Sequence, residues 1–233
     1  MKMRTKRLLS LADIGQGVNV SALTNALSDR PSGEPAGWEH IQPAAARRLL
    51  TGAVQAFAER GYQATTTRDI ASRAGMSPAA LYVHYPSKEQ LLFEISRSGH
   101  VAALAVISAA DSGAGPAPVD RLAAMVAAFT TWHAEHHTIA RVVQYELAAL
   151  SPEHLAEVAA IRRDISALVE RTLTDGVTDG SFTVPDVPGT ALAVLSLSID
   201  VARWFDSTRR QSPTPAALGT LYADLALRMV TAP

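Results

Sequence analysis

The sequence predicts an all-α protein, and three observations carry that reading. Apolar residues recur at helical spacing, as in Leu50, Val54 and Phe57 or Leu91, Leu92, Ile95, Val101 and Leu104, while no stretch alternates with the period of two that a half-buried strand needs. Helix punctuation separates those segments: Gly61, Gly75, Ser77-Pro78, Ser87 and Ser151-Pro152. Residues 66–90, reading TTRDIASRAGMSPAALYVHYPSKEQ, place a glycine stop directly before a Ser-Pro start, the pattern of a helix-turn-helix.

Taken in order, residues 1–43 carry Lys2, Arg4, Lys6 and Arg7 and then drift through Gly, Asn, Ser and Pro with little periodicity. They read as a mostly disordered amino-terminal extension, apart from a possible helical turn over 21–27. The basic residues are candidates for an arm reaching an adjacent groove; a plain solvated tail is the simpler reading. A first helix is expected over 44–60, stopped by Gly61. Thr66 with Asp69 three residues later suits a capped second helix, which Gly75 ends in the left-handed region. Ser77-Pro78 then caps a third, short helix, because Pro86 disfavours the α region for Tyr85. Ser87 with Gln90 starts a long helix to about residue 110, and DSGAGPAP over 111–118 is a loop. Five further helices are expected over roughly 119–136, 138–150, 152–175, 187–208 and 214–231. The implied organisation is a helix-turn-helix DNA-binding domain over 44–98, joined by the long helix to a helical ligand-binding and dimerisation domain over 99–233.

Two helices joined by a tight glycine turn fit a DNA major groove. The third helix begins with Ser77, Pro78, Ala79 and Ala80, small enough for close approach to base edges and for methyl contacts with thymine. Tyr82, His84, Tyr85 and Lys88 add hydroxyl, imidazole and ammonium groups suited to phosphates. The bland alternative makes Tyr82 and Tyr85 packing residues and His84 a surface residue.

AVQAFAERGY over 53–62 followed by TTTRDIASRAGMSPAALYVHYPSKEQLL over 65–92 resembles the DNA-binding domain of the tetracycline-repressor (TetR) family. The resemblance implies that Arg68, Ala79, Ala80 and Tyr82 face bases and that Thr67, His84 and Lys88 hold phosphates. The third helix has no Gln, Asn or Arg at its tip, so base reading would rest on Arg68, Tyr82, methyl contacts and DNA shape.

Composition agrees with an end that meets nucleic acid. Basic residues number five against four acidic in 1–43, seven against four in 44–98, and nine against fourteen in 99–233. The amino-terminal half is therefore basic and the body acidic. The absence of cysteine rules out disulfides and thiolate chemistry and fits a cytoplasmic location. The most apolar stretch, 192–205, is interrupted by Asp200 and Arg203, so no membrane partner is expected.

In the body, Trp132, Arg141, Tyr145, Arg203 and Trp204 stand out among Ala, Leu and Val, and with His133 they are the candidate ligand-binding residues. Asp200 and Arg203 are also an ordinary i,i+3 pair. His133 and His137 have i,i+4 spacing, but no third ligand accompanies them, so polar pocket lining is favoured over a metal site. The stretch RVVQYELAALSPEHLAEVAAIRRDI with ARWF resembles TetR members that sense acyl-CoA or steroid-derived thioesters, which implies Arg162, Arg163 or Arg203 as partners for coenzyme A phosphates. Gly219, Ala223 and Ala226 form a small-residue stripe that would let a partner helix approach, and in the resembling family the last two helices form a four-helix bundle across a dimer.

The sequence therefore points to a homodimeric regulator, without a cofactor or catalytic set, that binds double-stranded operator DNA and answers a small amphipathic effector. The alternatives are a regulator answering a hydrophobic drug and a DNA-binding regulator with no small-molecule effector.

Overall fold

The computed structural model describes Trp38 and residues 41–231, all within one compact unit, Gly37–Pro233. The basic arm and the 21–27 turn lie outside the described residues, which hold nine α-helices and no strand. The helices are α1 (Ala44–Ala64), α2 (Thr67–Arg73), α3 (Pro78–His84), α4 (Lys88–Gly113), α5 (Pro118–Glu135), α6 (His137–Glu146), α7 (Pro152–Asp179), α8 (Val187–Trp204) and α9 (Pro215–Val230). A 3₁₀ turn, Leu147–Ala149, joins α6 to α7.

The boundaries follow the capping chemistry. Thr66 and Asp69 form the reciprocal capping box at the start of α2, and Asp69 is held down at about 2 chiefly by its hydrogen bonds from the Thr66 side chain and backbone. The Oγ atoms of Ser77, Ser87, Ser151 and Thr214 each accept from the backbone N–H three residues on, starting α3, α4, α7 and α9. Gly75, at φ +66°, turns the chain between α2 and α3 where a side chain would be strained. Differences from the periodicity reading sit at helix ends: α1 continues past a break at Gly61 to Ala64, α7 runs on to Asp179, and α8 stops at Trp204 because Phe205 is extended.

Two apolar clusters organise the chain. The first contains Leu49, Leu50, Ala53 and Phe57 of α1, Ile70 of α2, Leu81 of α3 and Leu91, Leu92 and Ile95 of α4. It also takes in Ile139, Val142 and Val143 of α6, so α6 closes the core of the amino-terminal helices. Trp38, within the stretch read as a disordered extension, is buried in this cluster and donates its indole N–H to Ser98 Oγ at 2.8 Å. The second cluster joins Ala103 and Ile107 of α4 to Leu122, Met125 and Phe129 of α5, Ile165, Val169 and Leu173 of α7, Val194 and Leu195 of α8 and Ala226 and Val230 of α9. The expected domain boundary at residue 98 falls inside α4, which contributes to both clusters.

Two expectations change. By length and composition, the described helix that could cross a membrane is α4, not 192–205, yet its Leu91, Leu92, Ile95, Ala103 and Ile107 are buried inside the protein. The small stripe of α9 serves a helix of the same chain: a Cβ on Gly219 would lie 2.3 Å from Thr131 Oγ1 and 2.6 Å from the Ala127 carbonyl oxygen of α5. The exposed face of α9 is the stripe Leu221, Leu225 and Met229, spaced i, i+4, i+8.

Candidate nucleic-acid interface and arginine cleft

The short α3 presents its exposed face through Pro78, Ala79 and Tyr82, with Arg68 exposed on α2 and Ser77 exposed at the α3 cap. Leu81 points the other way, fully buried against α1, α2 and α4. Tyr82 is half exposed, and its hydroxyl lies 3.1 Å from Thr67 Oγ1, so α2 and α3 fix each other's polar tips. Ala80 and His84 are partly covered, and Val83, which has no place in the sequence-based site, is 80% exposed.

Two residues grouped with these turn inward. Tyr85 is buried; its hydroxyl donates to the Ala46 carbonyl of α1 at 3.4 Å, and burial pushes its pKa up. It packs the helix-turn-helix, in agreement with the bland alternative. Lys88 Nζ donates to the Tyr62 and Thr65 carbonyls at 2.7 and 2.9 Å and sits 4.1 Å from the Tyr62 ring centroid. Two of its three protons thus hold the end of α1 beside the start of α2, leaving one for another acceptor.

The candidate ligand residues divide into two places. Trp132 and His133 are buried on α5. His133 Nδ1 lies 2.8 Å from the Phe129 carbonyl, and Trp132 Nε1 has no hydrogen-bond acceptor among the described residues. His137 is not on the same helix, because α5 ends at Glu135; its Nδ1 lies 2.9 Å from the Ala134 carbonyl. The one-face metal geometry suggested by the i,i+4 spacing is therefore absent from this pair.

Arg141, Arg203 and Trp204 instead converge on a surface cleft of about 440 Å³, lined also by His137, Phe205, Asp206 and Arg209. Phe205, Asp206 and Arg209 are not legible as site residues in the sequence, because they follow the end of α8 and share no periodicity with Arg141. Arg203 is engaged by Asp200 through two bonds of 2.7 and 3.0 Å, and Arg209 Nε lies 3.4 Å from Asp206. The Arg141 side chain makes no hydrogen bond or ion pair with any of the described residues. Tyr145, more than half exposed, is close enough to Arg203 to act on it electrostatically. Arg162 and Arg163 lie on α7 and do not line this cleft.

His133 carries a pH consequence. Desolvation lowers its pKa to about 4, with smaller contributions from the neighbouring His100 and His136; His100 is lowered to about 4 for the same main reason, with a contribution from Arg162. Between about pH 4 and 6.5 the unfolded chain therefore binds more protons than the folded one, so stability falls as pH falls through that window, by about 1 kcal/mol per pH unit for each histidine. Thermal melts from pH 7.5 to 5 are expected to show this decline, and His133→Gln to flatten it.

Comparison with known proteins places these features in a wider group. Residues 49–95 match the family described as "Bacterial regulatory proteins, tetR family", and residues 115–230 match "Tetracyclin repressor-like, C-terminal domain". The HTH-type transcriptional repressor KstR2 of Mycolicibacterium smegmatis is 34% identical over 151 residues, covering 60% of this chain and 69% of that protein. A crystal structure of a bacterial regulatory protein in the tetR family from Rhodococcus RHA1 superposes with a TM-score of 0.77 at 46% identity, covering 82% of this chain and all of that one. The structure of the ketosteroid transcriptional regulator KstR2 of Mycobacterium tuberculosis superposes with a TM-score of 0.73 at 26% identity, covering 83% of this chain and 98% of that one.

Proposed function

The chain belongs to the TetR family of DNA-binding transcriptional regulators, and from that premise we propose that it is a cytoplasmic, homodimeric repressor released from a pseudo-palindromic operator by a fatty or polycyclic acyl-CoA. It acts by binding and not by catalysis. The repressor sign is supported by the likeness to KstR2.

The observation that carries the effector reading is the cleft. Arg141, Arg203 and Arg209 around one opening favour an anion, and the exposed Trp204 supplies a ring on which a planar base can stack. An uncharged hydrophobic drug would leave Arg141 unmatched, whereas Arg203 and Arg209 already have Asp200 and Asp206 beside them. Arg141 is the strongest anion ligand of the three because no carboxylate of the described residues competes for it. Arg203 must share its fork with Asp200.

Two copies are supported by the exposed apolar residues of α8 and α9: Leu192 and Leu197 on one helix and Leu221, Leu225 and Met229 on the other. A two-fold contact buries this face against itself. It also sets two α3 helices at the spacing of operator half-sites.

In the operator complex, Arg68, Ser77, Pro78, Ala79, Ala80 and Tyr82 face the groove, Thr67 and His84 lie at its phosphate edge, and Lys88 gives its third proton to a phosphate. Lys88→Ala is expected to lower stability by about 1–3 kcal/mol, through the lost bonds to Tyr62 and Thr65. It is also expected to weaken binding to all sequences, with the salt slope reduced by about one. Chemical denaturation and fluorescence titration against a salt series measure both.

The effector reading is tested by calorimetric titration of palmitoyl-CoA into the wild-type dimer, Arg141→Ala and Arg203→Ala. The expected result is a loss of about tenfold or more in affinity for Arg141→Ala, the cost of one charge-assisted contact. Unchanged affinity in both variants removes the cleft from the effector site.

A further inference from the structure

Helix α3 shows which of its residues stand farthest from the core. Leu81 is fully buried, and Tyr85, one turn on, is buried with it. At about 100° per residue, Ala79 and Val83 each fall about 160° from Leu81, whereas Ala80 and Tyr82 stand about 100° to either side. The crest of the helix is therefore Ala79 and Val83, one turn apart. Exposure follows the same order: Val83 is 80% exposed, Tyr82 53%, and Ala80 is partly covered.

Val83 is the most exposed of the large apolar side chains among the described residues. Valine is a poor choice for a solvated helix position, because its branched Cβ restricts the rotamer and its helix propensity is below that of Ala, Leu or Lys. Its isopropyl group has no donor or acceptor, and neither has the Ala79 methyl, so the crest reads no hydrogen-bond pattern. Polar groups stand off the crest: Tyr82 OH lies 3.1 Å from Thr67 Oγ1, Ser77 Oγ accepts the Ala80 N–H at 3.2 Å, and Arg68 is on α2. In the major groove the base-edge group that favours an apolar side chain is the C5-methyl of thymine. Amino, carbonyl and ring-nitrogen edges would lose water against Val83 and gain no partner.

We infer that Val83 is a specificity-determining residue of the helix-turn-helix: its isopropyl group packs on the C5-methyl of a thymine in each operator half-site, and that methyl is what it reads. The inference rests on α3 being the helix that enters the groove. Discrimination then has two parts, since burial of the methyl favours thymine and an unmatched polar edge disfavours the other bases. At that position 5-methylcytosine, which carries the same methyl on a different hydrogen-bonding edge, is accepted better than cytosine.

Operator duplexes are selected from random sequence by the wild type, Val83→Ala and Tyr82→Ala. Each thymine of the wild-type half-site is then replaced in both half-sites by deoxyuridine, which lacks only the methyl. Val83 belongs to none of the apolar clusters and alanine is the better helix former, so Val83→Ala keeps the fold, which circular dichroism checks. The expected result is a thymine whose methyl, when removed, weakens wild-type binding by about fivefold or more and Val83→Ala binding by less than about twofold. At the same position, 5-methylcytosine in place of cytosine is expected to strengthen wild-type binding by about threefold or more and to leave Val83→Ala nearly unchanged. The inference is overturned if no thymine distinguishes the two proteins in this way, or if Val83→Ala weakens binding to every sequence alike. Selection separates its failure from that of α3 as the reading helix. If Tyr82→Ala changes the selected sequence and Val83→Ala does not, α3 stands and Val83 is no reader; if neither changes it, α3 is not the reading helix and the inference falls with it.

Discussion

Replacing Leu221 and Leu225 together by glutamate is expected to convert the protein from a dimer of about twice 24.7 kDa to a folded monomer and to weaken operator binding at least 100-fold. Both side chains are exposed in the isolated chain, Leu221 at 50% and Leu225 at 41%, so the change leaves the intramolecular core intact. In the proposed two-fold dimer the same carboxylates would be buried against the partner's apolar face, and desolvation there without a counter-charge costs several kcal/mol. Operator affinity falls further than one half-site's contacts explain, because the second α3 is no longer held at high effective concentration. Sedimentation, circular dichroism and operator titration on one preparation read the three parts of the prediction separately.

Gly219→Leu is expected to act from inside the chain. The first carbon of the new side chain meets Thr131 Oγ1, which can rotate, and the Ala127 carbonyl, which cannot. Helix α9 must therefore move off α5, at about 3 kcal/mol or more. That corresponds to a fall of about 6–12 °C in melting temperature for a chain of this size. Because α9 also carries Leu221, Leu225 and Met229, the displaced helix weakens the dimer as well. Gly219→Ala places the same Cβ against Thr131 Oγ1 and the Ala127 carbonyl, and the absence of further atoms makes it the milder variant.

These two helix faces show what the sequence makes legible and what it does not. Thr66 with Asp69, Gly75 and Ser77-Pro78 act through their own backbone, so the helix-turn-helix can be read locally, cap by cap. Periodicity then says which residues share a face, but not which helix covers it. The stripe of Gly219, Ala223 and Ala226 reads equally well as a contact with another copy or with α5. The same limit hides Tyr85 and Lys88: their spacing suits an exposed polar edge, whereas the Ala46, Tyr62 and Thr65 carbonyls that receive them come from elsewhere in the chain. Trp38 gives no local signal because its partner, Ser98, is 60 residues away. In the cleft, Arg141, Arg203 and Trp204 are legible as unusual residues in apolar helices. Arg209 and Phe205 are not, since only the turn after α8 brings them there. Trp132 and His133 have the same unusual chemistry but face the interior.

If the cleft holds the effector, occupancy of the cleft and occupancy of the operator are linked through one protein. Linkage is reciprocal: a ligand that weakens operator binding by some factor must itself be bound more weakly, by the same factor, when operator is present. Calorimetric titration of palmitoyl-CoA into the dimer, free and saturated with operator, measures that factor from the ligand side, and operator titration with and without ligand measures it from the DNA side. One factor of about tenfold or more is expected from both directions, a coupling of at least about 1.4 kcal/mol. Equal palmitoyl-CoA affinity with and without operator contradicts it.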